Sequence, residues 1–451
     1  MIKSINPFNG NEIASYEEFT PQRLASKLAS SDQAYNSWKG TAFPHKAKSL
    51  KKLAVLLTGK KDELATLITS EMGKIFKESK AEIEKCAWLC KHYADNSEAY
   101  LTEDIIETDA SKSFVKYEPL GVIYGIMPWN FPFWQVFRAS IPTIMAGNSF
   151  VLKHSPNVMG CAIAIEELFL EAGFPSNIFT NLIIDIDKSD AVIESPYVQG
   201  VTLTGSRRAG SAVAAVAGRC LKKTVMELGG SDPYIVLKDA KVNEACKTGM
   251  CSRMLNSGQV CISAKRFIVE EEIFDDFVNE QISLLDYLKT GDPLSGKTDI
   301  GPMARLDLLE TIEQQVDRSI MMGAKLMTGG KIIDDKFYAP TLLTNVKKGM
   351  PVYDEETFGP VSVVIPAKDP EDAIRIANDS IYGLGASIWT QDMDKANHIA
   401  NNIEAGAVFI NGMTKSDPRL PFGGIKQSGY GRELAALGIK EFVNAKTIWL
   451  R

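Results

Sequence analysis

Between Thr20 and about Tyr100 the apolar positions recur every three or four residues, as at Leu50, Leu53, Leu56 and Leu57, with Glu and Lys on the opposite side. That spacing predicts a run of amphipathic helices. The period then shortens: IETDASKSFVKYEPLG alternates like an extended ribbon and is closed by Pro119-Leu120-Gly121. From Gly121 to Leu228 the β-branched runs VIYGIM, NSFVLK, IFTNLII, VQGVTLT and KKTVME alternate with helical stretches reaching Met145, Ala172 and Ala217. Parallel strands need crossover connections and bury both faces, so this rhythm predicts a parallel sheet covered by helices. After ELGG a second block offers PYIVL, RFIVE, KLMTGG, VSVVIP, ASIWT and AVFING as strands. A helix through Leu309, Ile312, Val316 and Ile320 should stop near Gly323. The final EFVNAKTIWLR alternates again and is expected to pair with the ribbon near 101–118 as a small shared sheet.

The fold class is therefore α/β, and 451 residues exceed what one hydrophobic core organises, which implies more than one domain. A net charge of -6 leaves no basic surplus for a phosphate backbone, so nucleic acid is not expected as a partner. The polar start MIKSINPFNG and the lack of eighteen consecutive apolar residues argue against secretion and against a membrane partner, and point to the cytoplasm. Seven cysteines, at 86, 90, 161, 220, 246, 251 and 261, are odd in number and scattered, as expected of reduced thiols. Cys86 and Cys90 have no second pair or nearby His to complete a zinc site, and no metal is expected. One motif is misleading: GDPLSGKT, Gly291 to Thr298, spells a phosphate-binding loop. It follows a helical period and precedes TDIGPM, whereas such a loop must join a strand to a helix, so it reads as a surface loop.

Three positions carry candidate chemistry. In NSGQVCISAKR, Cys261 sits among small and turn-forming residues just before RFIVE, where a thiolate is reachable; a merely structural thiol fits the same surroundings. None of the histidines at 45, 92, 154 and 398 supplies a visible cysteine-protease pattern, so another group must assist. In TVMELGGSDP, Glu227 closes a buried-looking strand, where desolvation would raise its pKa toward that of a general base; the alternative is a capping or ion-paired Glu. In IMPWNFPFWQ, Asn130 follows a strand and is expected to open a helix, either as an oxyanion donor together with the Cys261 backbone amide or as a simple N-cap.

Asparagine, glutamate and cysteine in that order resemble the aldehyde dehydrogenase superfamily along nearly the whole chain. VLKHSP, LTGSRRAG, ETFGPV and LPFGGIKQSGYGRE stand at matching separations. The short N-terminus, KHSPN and GMTKSDPRLPFGGIK are most similar to the compact bacterial succinate-semialdehyde dehydrogenases. The resemblance implies a Rossmann-type cofactor domain over 1–100 and 119–228 and an α/β thiol domain over 229–417. It further implies an oligomerisation segment of 101–118 with 418–451, and a homodimer or homotetramer. It implies that the Cys261 thiolate attacks an aldehyde while Asn130 and the Cys261 amide hold the oxyanion, and that Glu227 then activates water against a thioester.

For a nicotinamide cofactor, the resemblance implies contacts from Trp129, Lys153, Ser155, Gly205, Ser206, Leu228, Glu356 and Phe358. Where many NAD-preferring relatives carry a glutamate three residues after the lysine, this chain has Pro156, so neither NAD nor NADP is disfavoured. Trp134, Arg138 and Ser416 are the implied substrate contacts, with Arg138 placed on the side of the opening helix to pair a distal carboxylate; a structural ion pair is its other reading. Competing functions are a coenzyme A-acylating dehydrogenase, a thioesterase side activity, and a catalytically silent relative that serves as a structural or binding protein.

Overall fold

The computed structural model describes all residues, Met1–Arg451. It begins with a feature the apolar pattern did not announce: β1 (Ile2–Ile5) and β2 (Glu12–Tyr16) form an antiparallel hairpin around a Pro-Phe-Asn-Gly-Asn turn. The predicted helices follow as α1 (Pro21–Trp38), α2 (Phe43–Gly59), α3 (Lys61–Met72) and α4 (Phe76–Tyr100). Their starts follow local chemistry. The Thr20 hydroxyl accepts the Arg23 N–H, and Pro21 occupies a position whose N–H would be orphaned anyway. Their apolar stripes bury Leu50, Leu53, Leu57 and Ile68.

Next come β3 (Asp104–Ile105) and β4 (Lys112–Pro119), then the alternation read from the sequence. It comprises β5 (Val122–Met127), α5 (Trp134–Met145), β6 (Ser149–His154), α6 (Met159–Glu171), β7 (Phe179–Asn181), α7 (Ser189–Glu194), β8 (Val198–Thr204), α8 (Arg207–Arg219) and β9 (Lys223–Glu227). The second block holds β10 (Asp232–Val236), α9 (Val242–Met254), β11 (Ala264–Glu270), α10 (Phe274–Asp286) and α11 (Leu306–Met321). It continues through β12 (Lys325–Thr328), the small hairpin β13 (Ile332–Ile333) and β14 (Phe337–Tyr338), β15 (Thr341–Thr344), β16 (Val361–Ala367), β17 (Gly385–Trp389) and β18 (Ala407–Ile410). The chain ends with β19 (Gly429–Tyr430) and β20 (Val443–Leu450).

The first sheet has the order β19-β9-β8-β5-β6-β7, parallel except for β19. Strand order reverses between β5 and β8, and in an open parallel sheet the crevice at the carboxyl ends beside that reversal is where ligands seat. Trp129 and Asn130 leave β5 there, and Gly205 and Ser206 leave β8 there. The second sheet runs β12-β15-β16-β11-β10-β17-β18, parallel except for β12. Only Leu228-Gly229-Gly230-Ser231 separates β9 of one sheet from β10 of the other, so Glu227 and Cys261, just ahead of β11, converge on the seam. As the alternation suggested, β20 pairs antiparallel with β4 along its whole length, from Val443 opposite Pro119 to Leu450 opposite Lys112.

Two expectations are corrected. Asn130 does not open a helix: α5 starts at Trp134 with Phe133 as its cap residue, and Asn130 lies in the turn before it. The cap is long-range, because Glu82 of α4 accepts both the Phe133 and Trp134 N–H groups at 2.9 Å. Asn130 and Arg138 therefore do not share a helix face. IFTNLII forms a strand only over Phe179–Asn181, after which the chain turns irregular. Gly291 to Thr298 is a loop after α10, enclosed by an isolated bridge between Thr290 and Ile300; no regular strand leads into it and no helix follows directly. No helix is long and apolar enough to cross a membrane.

Candidate active site

Cys261 is held by a backbone that few residues tolerate. Asn256 and Ser257 adopt φ of 51° and 54°, and Gly258 follows at 74°. Such strain persists only where the surroundings over-determine it. Here the fully buried Arg253 donates to the carbonyls of Gly258, Thr357 and Gly359 and to the Ser263 hydroxyl, tying both sides of the loop together. The Asn256 side chain donates to the Asn130 carbonyl at 2.9 Å, and the Ala304 N–H donates to the Gln259 side chain at 3.0 Å.

Lys265, four residues after the cysteine, sets the direction of the thiol's own peptide. Its ammonium donates to the Val260 carbonyl at 2.9 Å and to the Cys261 carbonyl at 2.6 Å. A trans peptide is planar, so with the Val260 oxygen drawn toward Lys265 the Cys261 N–H must point the opposite way. That N–H donates to nothing in the chain. The Asn130 amide donates to the Gln259 carbonyl at 3.0 Å, which holds it beside the same loop with its second N–H available. Its turn is clamped by His154: the Nε2 atom lies 2.9 Å from the Pro132 carbonyl, and Nδ1 accepts the Ser155 N–H at 2.9 Å. Burial pushes the His154 pKa down to about 4, so the ring is neutral and Nε2 carries the proton.

The thiol opens into a cavity of about 220 Å³. Trp134, Arg138 and Ser416 line it, as do Lys85, Glu78 and Glu82 of α4. The last three are spaced four and three apart, one stripe of a helix, and place charge on an otherwise apolar wall. Burial raises the Cys261 pKa to about 11, with Arg138 and Lys265 pulling against it, so the resting group is a thiol. Arg138 is an ion-pair residue as well as a cavity wall: it contacts Glu433, donates from Nη2 to Thr204 at 3.3 Å, and stacks 4.5 Å over Phe422. Its Nη1 has no hydrogen-bond partner in the chain.

Glu227 is not on that wall. Its carboxylate packs toward Gly423 with both oxygens buried and unpartnered, and its pKa is pushed well above the carboxylate range by burial and then by Glu433, with Arg138 opposing. Arg138 is thus the charge shared by Glu227, Glu433 and Cys261. Lys85, Lys265, His154 and Glu433 carry no role that the sequence alone assigns. Their weight comes from contacts across the fold, although Lys265, His154 and Glu433 all lie inside motifs that were noticed.

The implied cofactor contacts fall along the crevice. Ser206 caps α8 by accepting the Ala209 N–H, leaving the Arg207 and Arg208 amides unbonded at a thirteen-residue helix's positive end. At Gly210 a Cβ would lie 2.5 Å from the end of the Leu228 side chain, so that side chain packs directly on the α8 backbone. Beside it a groove of about 880 Å³ is lined by Arg207, Gly210, Leu228 and Lys426. Lys153, next to last in β6, is buried and without a partner, its pKa lowered by burial, and Ser155 donates to Asn157 at 2.7 Å. At the other end Glu356 accepts the Gly230 N–H at 3.1 Å and lies 3.6 Å from Lys265; any side chain at Gly229 would collide with it. Phe358 meets Trp129 edge to face at 5.8 Å. A buried lone cation, a free helix terminus and glycines that admit close approach fit a dinucleotide.

The chain is 47% identical over its full length to a probable NADP(+) succinate-semialdehyde dehydrogenase of Synechocystis sp., covering 99% of that relative. It is 43% identical, with the same coverage, to an NADP(+) succinate-semialdehyde dehydrogenase of Mycobacterium leprae. Among solved structures, succinic semialdehyde dehydrogenase from Streptococcus pyogenes in complex with NADP+ superimposes with a TM-score of 0.98 at 38% identity, both chains fully covered. A lactaldehyde dehydrogenase superimposes with a TM-score of 0.97 at 31% identity, covering 100% of this chain and 95% of that one. The description of the aldehyde dehydrogenase family matches residues 1–448, and the chain belongs to that family.

Proposed function

We propose that this protein oxidises succinate semialdehyde to succinate with NADP+ or NAD+, through a thioester on Cys261. The observation that carries the reading is that the thiol shares one small cavity with the Arg138 guanidinium, Trp134 and Ser416. A lactaldehyde dehydrogenase has nearly the same fold, so architecture does not select the substrate. A cationic, aromatic-walled cavity suits an aldehyde with an acidic far end. The names of the relatives agree with it.

Lys153, the amides opening α8 and Glu356 would hold the cofactor, whose nicotinamide supplies the hydride acceptor when bound. Pro156, at the start of a 3-10 turn, places no carboxylate three residues after Lys153 to repel a 2′-phosphate, which favours acceptance of NADP. The aldehyde carbon meets the Cys261 sulfur, and the oxygen that gains charge is met by the Cys261 N–H and the Asn130 amide. Once the thioester has formed, Glu227 swings from its rest beside Gly423 toward the sulfur and takes a proton from water, which attacks the acyl carbon and releases the acid and the thiol. Glu227 distinguishes this route from acyl transfer to coenzyme A.

In this reading, residues 1–100 and 119–228 form the cofactor domain, 229–417 the thiol domain, and 101–118 with 418–451 the bridging segment, although β19 also extends the cofactor sheet. Its edge strands β18 and β20 suit assembly into a homodimer or homotetramer in the cytoplasm. The test is an aldehyde panel with both cofactors, following reduced nicotinamide. Succinate semialdehyde should give the highest kcat/KM without coenzyme A; equal rates with neutral aldehydes of the same length would refute the substrate assignment.

A further inference from the structure

The carboxylates that line or flank this cavity have partners, and one partly buried cation on its wall has no counter-ion. Arg138 contacts Glu433. Glu82 pairs with the buried Lys74 and caps α5. Asp417 is gripped by Arg419 through two hydrogen bonds of 2.9 and 2.7 Å. Glu78 accepts the Asn256 N–H at 2.9 Å. Lys85 is half-buried and lines the cavity; its ammonium donates to the Ser416 hydroxyl at 2.8 Å and lies 4.1 Å over the Trp134 ring, with no ion pair at all. A cation in a partly desolvated wall, without a counter-ion, calls for an anion from the ligand.

We propose that Lys85 is the residue that selects an anionic aldehyde: its ammonium, held between Trp134 and Ser416, takes the substrate's distal carboxylate as its counter-ion. Arg138, whose charge Glu433 largely offsets, orients that carboxylate by a hydrogen bond from Nη1. The inference rests on the proposed substrate class and deepens it. It also makes selection depend on pH. Burial first, and then the Arg138 charge, lowers the Lys85 pKa to about 8, with Glu82 and Asp417 pulling the other way. Across the cavity stand Glu78, whose own pKa is raised to about 7 by burial, and the Cys261 thiol, while Lys415 stands exposed on its lining. The ammonium form binds the anion, so preference for it should hold below about pH 8 and fade above.

The experiment compares kcat/KM for succinate semialdehyde with that for butanal, a neutral aldehyde of equal length, so that titration of the thiol cancels in the ratio. In Lys85→Met the ratio should fall by about 10- to 100-fold, the worth of a hydrogen bond to a charged group, mostly through KM of the anionic aldehyde. Lys85→Arg should restore most of the preference, and Lys415→Met, removing an exposed charge, should cost little. In the wild type and in Glu78→Gln, which removes the other group titrating nearby, the ratio should decline above about pH 8. A Lys85→Met protein that keeps the ratio, or loses activity equally on both aldehydes, overturns the inference. If that variant does not fold, a pH-independent ratio in the wild type does the same. A wild type with no preference for succinate semialdehyde at any pH refutes instead the substrate assignment beneath it.

Discussion

Replacing Lys265 with methionine isolates the element that aims the thiol's peptide. The ammonium holds two carbonyls at 2.9 and 2.6 Å, and hydrogen bonds to charged groups are each worth about 1.5–3 kcal/mol. Against this, burying an ammonium costs several kcal/mol, a cost methionine avoids, so the net loss of stability should be only about 1–3 kcal/mol. The rate should suffer more. Once the Val260 carbonyl is released, the Cys261 N–H is no longer fixed opposite it, and a mis-aimed oxyanion donor costs about 100-fold or more in kcat. The cation that helps hold the thiol pKa down is lost too, so alkylation of Cys261 by iodoacetamide at fixed pH should slow. The assay pairs steady-state kinetics with the alkylation rate and a urea melt. Full kcat in a folded Lys265→Met protein, with unchanged alkylation, would refute the aiming role; a loss confined to KM would place Lys265 in binding instead.

Three further outcomes follow from contacts elsewhere. Glu82→Gln leaves the fully buried Lys74 ammonium unpaired and weakens the cap of α5, so stability should fall by about 3–5 kcal/mol in a denaturant melt. Gly210→Ala places a Cβ 2.5 Å from the end of the Leu228 side chain and should turn that side chain into the groove beside α8, weakening NADP+ binding by calorimetry at a stability cost below about 1 kcal/mol. With the Cys261 pKa near 11, its alkylation in the unliganded protein should climb about tenfold per unit between about pH 7 and 10 without a plateau; a plateau below pH 9 would show a thiolate already present at rest.

What could be read from the sequence were the features that local periodicity encodes. The buried strands β5, β6, β8, β9, β10, β11 and β16 are short apolar runs between helical stretches, and β4 and β20 alternate, so each announced itself. The hairpin of β1 and β2 did not: its strands are four and five residues long and mostly polar on one face. The start of α5 was misplaced because its cap is Glu82, some fifty residues earlier, which no N-cap pattern near Asn130 could reveal. The site divides the same way. Cys261, Glu227 and Asn130 stood out through neighbouring glycines, tryptophan and proline, and through their order along the chain. The role of Lys85 needed Ser416 and Trp134 beside it, that of Lys265 needed the fold of the 260–261 peptide, and the raised pKa of Glu227 depends on burial and on Glu433, with Arg138 opposing. Such effects are tertiary and leave no periodic trace.

The claim beneath all of this is that one sulfur carries the acyl group and one carboxylate removes it. Glu227→Gln, mixed with NADP+ and succinate semialdehyde and quenched during turnover, should release one equivalent of reduced cofactor and then stall. Peptide mass spectrometry should find a succinyl group on the fragment holding Cys261. An unacylated Cys261, the acyl group on Cys251 or another residue, or undiminished steady-state turnover in this variant would contradict the account.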